Sequence, residues 1–241
     1  QLTTLSTSSG DNVSISTSPL IDSVRIVGFT FNNTSQRGIA GYNGVFVVDG
    51  CKFSTVVGPY VHFSGNTTSG TIRNSVFVPG SGAAASGILL DSYPHLVLYR
   101  NVFYGAPKSP LVEVASGTAT VINNTFANCF TALVLRLSGG DADTAYNNIF
   151  LNISGDAIRV ENASIIEGYN VFYANDNNAF GFSPSPTSII SDPLLVDTAG
   201  FDFSPGVGSP CINSGHPDAI YNDPDGTRSD IGAIPSACNL L

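Results

Sequence analysis

Phenylalanine returns along this chain at near-constant intervals, at Phe31, Phe53, Phe77, Phe103, Phe126, Phe150 and Phe172, with successive spacings of 22, 24, 26, 23, 24 and 22 residues. Self-similarity at such a period marks a solenoid, in which no repeat can bury its apolar face alone and each stacks on its neighbours. The text around each anchor also recurs: VGFTF, DGCKF, RNSVF, YRNVF, INNTF, YNNIF and GYNVF. Upstream of most anchors lie alternating apolar residues, Val61/Phe63, Ile88/Leu90, Val112/Val114, Leu133/Leu135/Leu137 and Ile158/Val160. Period-two alternation predicts strands with one buried face. The joins between them, such as SGNTTSG, GSGAAASG and GAPKSP, have neither the length nor the 3.6-residue periodicity of a helix.

A coil of 22 to 26 residues carrying two or three short strands predicts an all-β parallel β-helix of about seven coils, residues 1–187, with residues 188–241 as a C-terminal cap of the same domain. Each anchor ring then lies over the previous one, in a column that buries apolar surface at about 25 cal/mol per Å². Two positions before the anchor stand Asn101, Asn124, Asn148 and Asn170, and Asn123 and Asn147 precede two of these. Asparagine tolerates left-handed backbone, and its amide can bond the amide of the adjacent coil. A structural ladder is therefore expected in preference to a ligand-binding row.

Only 11 % of residues are charged, the net charge is -9, and the nine basic residues, with Lys52 and Lys108 the only lysines, never cluster. Such a surface repels phosphate backbones and does not attract anionic lipid, so neither nucleic acid nor a membrane is an expected partner. No apolar run approaches the roughly 20 residues of a membrane span. The chain starts at Gln1 and has no methionine, which reads as a secreted protein whose leader has been removed. Sequons at Asn12, Asn32, Asn33, Asn66, Asn123, Asn152 and Asn162 offer glycosylation sites. A Cys211–Cys238 disulfide is expected, closing a loop of about 27 residues and contributing about 3 kcal/mol. Cys51 and Cys129 fall three coils apart, beyond the Cα separation a disulfide tolerates, and are expected to be buried free thiols.

The GxxF and NxxF coils, followed by SDPLLVDTAGFDFSPGVGSPCINSGHPDAIYNDPDGTRSDIGA, resemble the secreted right-handed β-helix repeat proteins related to pectate-lyase-like polysaccharide enzymes. The resemblance spans essentially the whole chain and is most specific from Ser191 to Ala233, a DPLF-like strand, a SPAIDAG-like turn and a DxDGxxRxDIGA-like close. It implies a right-handed coil. That family holds lyases and hydrolases but also adhesins and fibre proteins, so the fold leaves function open.

A polysaccharide lyase needs a basic side chain beside acidic groups or Ca²⁺ that neutralise the uronate carboxylate. Glu113, Arg136 and Arg159, spaced by 23 residues each time, are expected on one outward ladder about 4.8 Å apart. The plainer reading of these three is a surface ion pair with a second arginine beside it. Acidic residues do not gather on adjacent coils as the ligands of a Ca²⁺-dependent lyase, and no aligned aspartate pair suggests inverting hydrolysis. In the tail, Asp223, Asp225 and Asp230, with Asn222, surround Gly226 and can be read as a Ca²⁺ site. They can also be read as a tight turn in which Arg228 bonds a carboxylate and locks the cap; no cofactor is required. His62, His95 and His216 lack partners at metal-ligand spacing.

The expectation from sequence is a non-catalytic extracellular structural or adhesive protein, a surface or filament subunit that self-associates through its ends or flanks. The N-terminal edge is suited to strand addition by another chain. The alternatives are a lyase acting on an acidic glycan and a glycan-binding module without turnover.

Overall fold

A computed structural model describes residues 13–16, 23–32, 37–42, 44–54, 59–65, 69–78, 87–91, 95–105, 109–136 and 140–233. Three strands per coil build three sheets whose neighbouring strands all run parallel, as shown by pairs such as Val61–Ser64 on Ile39–Tyr42 and His95–Tyr99 on Ser69–Arg73. Among the described residues sheet A has eight strands, from Val13–Ser16 to Asn177–Phe180; sheet B has seven, from Val24–Val27 to Ile165–Gly168; sheet C has seven, from Thr30–Asn32 to Val171–Tyr173. The architecture is a parallel β-helix.

All seven anchors lie in sheet C in unbroken register. Their rings stack with centroids 4.7–5.2 Å apart and planes within 12° of one another, seven rungs enclosing six complete turns. Offset stacking at strand separation joins large-area burial to favourable ring geometry. Inward residues of sheets A and B, among them Ile39, Val61, Ile88, Val112, Leu133, Ile158, Phe46, Ile72, Leu96 and Val121, complete a single core. Cys51 and Cys129 are buried free thiols, and burial raises the Cys129 thiol far above its ordinary value.

The asparagines at the corner before the anchors divide into two sets: left-handed ones such as Asn123 and Asn147, whose amides meet between coils at 3.5 Å, and the buried ones that follow them. The left-handed residue of this corner is Gly28, Gly50, Asn74, Arg100, Asn123, Asn147 or Tyr169. The residue after it supplies the buried ladder: Asn124 Oδ1 accepts from the Asn101 backbone N–H at 2.9 Å, Asn148 Oδ1 from Asn124 at 2.9 Å and Asn170 Oδ1 from Asn148 at 2.9 Å. Ser75 and Ser188 continue it at either end through shorter hydroxyls that accept, Ser75 Oγ from the Cys51 N–H and Ser188 Oγ from the Asn170 N–H, while the Ser75 N–H donates to Asn101 Oδ1.

The tail is not simply a plug on the last coil. Residues 177–189 close that end, with Phe182 packed on the core and Ile189 bridged to Val171. From Ile190 onward the chain turns back along the outer face of sheet C as a strap. Phe203 and Ala233 pack on Val76, Val102 and Ala127, and Cys211 and Ile231 pack on Ile149 and Val171. The physical reason lies in the strands: Val76, Val102, Ile149 and Val171 point outward beside the inward rings, so sheet C is apolar on both faces and requires cover. Within the strap, Leu195–Asp197 and Asp202–Pro205 form a small antiparallel pair, and Ala219–Tyr221 is a single 3₁₀ turn. Among the described residues no helix is long and apolar enough to cross a membrane.

Candidate functional site

With sheet C covered, the outer faces of sheets A and B remain. Sheet B presents short polar and aromatic side chains in register, Thr71, Val97, Thr120 and Thr144 in one row and Arg73, Tyr99, Ile122 and Tyr146 in the next. Below these, Asp49 is held by Arg25, Arg73 and Asn74; burial alone would raise its carboxyl, but these hydrogen bonds outweigh it and hold the carboxyl below its ordinary value.

Ionisable groups concentrate on sheet A. One outward row there reads Ala40, His62, Leu89, Glu113, Val134, Arg159 and Phe180. Arg136 therefore does not share a row with Glu113 and Arg159, as equal spacing suggested; unequal coil lengths place Val134 between them, and Arg136 stands just past the strand Thr131–Leu135. The length of the arginine side chain restores the contact. Arg136 Nε donates to Glu113 Oε1 at 2.9 Å while its other arm reaches Glu161. Arg159 Nε donates to Asp156 Oδ2 at 2.7 Å, its Nη1 to Glu161 Oε1 at 3.2 Å, and its guanidinium lies 4.4 Å from the Phe180 ring centre. Burial pulls the Arg159 guanidinium down, but Glu161 and Asp156 more than reverse this, so it stays protonated. The result is a continuous ribbon of alternating charge across three coils.

Sequence reasoning passed over a second pair on this face. His62 Nε2 lies 2.6 Å from Asp91 Oδ2; the imidazole is 8 % exposed and the carboxylate 37 %. An ionised carboxylate only accepts, so the shared proton sits on Nε2, and Nδ1 is left buried without a partner. The only sequence signal was parity: His62 lies between the inward Val61 and Phe63, and so faces outward.

The tail aspartates are occupied by the fold. Asp223 takes Arg100 on Oδ1 at 3.0 Å and the Asp230 N–H on Oδ2 at 2.8 Å, Asp225 accepts from Thr227, and Asp230 accepts from the Asn213 N–H. Among the described residues no group of three or more His, Cys, Asp or Glu is disposed as a metal shell. Arg228 bonds the carbonyls of Gly215 and Ser214 rather than a carboxylate; Arg100, on the coil beneath, takes that role. A shallow cleft of about 480 Å³ runs between Arg100, Asn213, Asp223 and Asp225.

Asn123 is 2 % exposed and spends its amide on Ser229 and Asp230, so its sequon is structural, whereas Asn32, Asn152 and Asn162 are exposed. Cys211 is buried, its thiol pushed up to about 11 first of all by burial. Cys238, Asn12, Asn33, Asn66, Lys108 and Leu137 lie outside the described residues.

The family model for the right handed beta helix region matches residues 61–213, more than half of the chain. The chain belongs to the right-handed β-helix family. No curated protein matches it.

Among the described residues an inward strand position of this β-helix is taken by the ionisable Asp143. Asp143 shares the buried parity of Ala145 and accepts from the Ala119 N–H at 2.7 Å; burial raises its carboxyl from 3.8 to about 6. The folded state thus holds the proton up to about pH 6, while the unfolded chain releases it near 3.8. The contribution to stability is full below 3.8, is lost as pH rises to about 6, and amounts to about 3 kcal/mol. Asp143→Asn, followed by urea unfolding across this window, is expected to flatten that slope while the wild type declines.

Proposed function

We propose that this β-helix is a non-catalytic extracellular protein with a structural or adhesive role, presenting a rigid polar flank to glycans or to further copies of itself. The observation that carries the reading is the ribbon on sheet A, where Arg136 is tied between Glu113 and Glu161 and Arg159 between Asp156 and Glu161. A lyase base must give up its proton and a neutralising cation must face the substrate. Here both guanidinium groups are committed to carboxylates of the same face, and a half-exposed network of this kind stiffens a surface more than it stabilises the fold. Because residues 177–189 close one end, self-association is expected through a flank or the N-terminal edge rather than by indefinite head-to-tail stacking. The exposed sequons fit an extracellular location.

The test pairs sedimentation velocity over a range of concentrations with a panel of uronate polysaccharides. Concentration-dependent oligomers or retention on a polysaccharide, without unsaturated product, are expected. Unsaturated ends released from any polymer would overturn the non-catalytic reading, and a monomer at all concentrations that ignores every glycan would overturn the adhesive one.

A second reading, an enzyme acting on an acidic glycan, is favoured by one observation, the buried His62 imidazole aligned on the half-exposed Asp91 carboxylate. It predicts turnover that is abolished in Asp91→Asn and persists in Arg136→Gln.

A further inference from the structure

Aromatic side chains gather on one part of sheet B. Register sets Tyr99, Ile122 and Tyr146 in consecutive outward positions of adjacent coils, all half-buried, beside the row that holds the threonine hydroxyls. The two tyrosines stand two coil steps apart, about 9.6 Å. The strap, passing the corner beside them, adds two further rings. His216 lies 4.8 Å from Tyr146 and 5.0 Å from the corner residue Tyr169, and Tyr221 meets Tyr146 edge-on at 5.9 Å. His216 is fixed by its backbone N–H, which donates to Asn147 Oδ1 at 2.7 Å. Edge-to-face packing of this kind holds rings at set angles without stacking their faces away.

The cations beside the cluster are committed. Arg228 stands 5.6 Å from the Tyr169 ring centre and Arg100 5.0 Å from that of Tyr99, but Arg228 bonds the carbonyls of Gly215 and Ser214, and Arg100 bonds Asp223. Burial first, and then the neighbouring Tyr221, Glu167 and Tyr169, push the Tyr146 phenol up, so it keeps its proton and remains a donor. Among the described residues no protein group bonds the hydroxyls of Tyr99, Tyr146, Tyr169 or Tyr221.

We propose that this aromatic face of sheet B binds a neutral glycan, an extended chain lying along the helix axis with sugar rings on Tyr99 and Tyr146 and hydroxyls on the phenols and threonines. A pyranose has apolar C–H faces and a rim of hydroxyls, which matches rings bordered by hydroxyl groups. One coil step is close to the length of one sugar in an extended β-linked chain, so the two tyrosines meet alternate sugars. Uronates are disfavoured, because both guanidinium groups are committed while Glu167 beside Tyr146 and Asp218 beside His216 add negative charge. The site supplies the adhesive reading with a ligand and rests on that reading.

Titration calorimetry of the full chain with cello-, manno- and xylo-oligosaccharides, beside galacturonate and alginate oligomers of equal length, tests this. The chain has no tryptophan, so tyrosine emission reports the same event. At least one neutral series is expected to bind and to change that emission, and Tyr99→Ala and Tyr221→Ala are each expected to weaken it on the order of tenfold. Tyr146→Phe keeps the ring and the fold, and is expected to lose less. Neutral oligomers that do not bind, or that bind all three variants as tightly as the wild type, overturn the proposal. Binding of uronates alone overturns it too, while the adhesive reading stands. Unsaturated product together with tyrosine-dependent affinity for a neutral series supports this site and overturns only the non-catalytic reading.

Discussion

Phe126→Ala is expected to lower the free energy of unfolding by about 3–5 kcal/mol, the range for truncating a fully buried aromatic residue. Phe126 is 0 % exposed and lies between Phe103 at 4.7 Å and Phe150 at 5.1 Å, so its removal opens a cavity and breaks two stacked contacts at once. Its neighbours cannot close the gap, because each ring is fixed by a strand paired on both sides. The loss depends on position. Phe31 is only partly buried and stacks on Phe53 alone within the column, so Phe31→Ala is expected to cost about half as much. Urea unfolding of the two variants checks both numbers. Equal losses at the two positions would mean that the column is not the main source of stability.

That column was legible because a ladder needs the same residue type at the same place in every coil, and repetition survives translation into sequence. Much else follows from coil lengths, which sequence shows only as averages. Glu113, Arg136 and Arg159 are evenly spaced, yet the coil from Glu113 is short and the next is long, so Arg136 slips out of their row and reaches Glu113 diagonally. The strap was readable in principle. The residue between asparagine and phenylalanine is Val102, Thr125, Ile149 or Val171, and apolar residues next to an inward ring announce a sheet that must be covered on its outer side. The pairing of Arg100 with Asp223 was not readable, since 123 residues separate the partners and no local pattern links them. Nor was Asp143, which the parity of its strand turns inward against the usual exclusion of carboxylates from a core. His62 and Asp91 meet across 29 residues for the same topological reason, being brought together by adjacent coils.

Asn124→Ala is expected to cost about 3 kcal/mol or more, although it removes only a small polar side chain. Asn124 Oδ1 accepts both the backbone N–H and the side-chain amide of Asn101, and its Nδ2 donates to the carbonyls of Leu98 and Ile122 and to Asn148 Oδ1. Alanine leaves the Asn101 N–H and the Leu98 carbonyl buried without these partners, at about 1–3 kcal/mol for each orphaned group. Asn124→Asp separates this loss from packing. It keeps the acceptor toward Asn101 but turns an oxygen toward two carbonyls, burying a charge without a counter-ion, and is expected to be the more damaging of the two at neutral pH. Acidification should restore part of its stability by returning one donor. Asn128, left-handed at φ 55° at the corner after the anchor strand, is half-exposed and its side chain takes a solvent-exposed bond from the Asn152 amide, so Asn128→Gly is expected to change stability by no more than about 0.5 kcal/mol. If Asn124→Ala were as mild as Asn128→Gly by urea unfolding, the buried amides would be bystanders, and coil register would rest on the aromatic column alone.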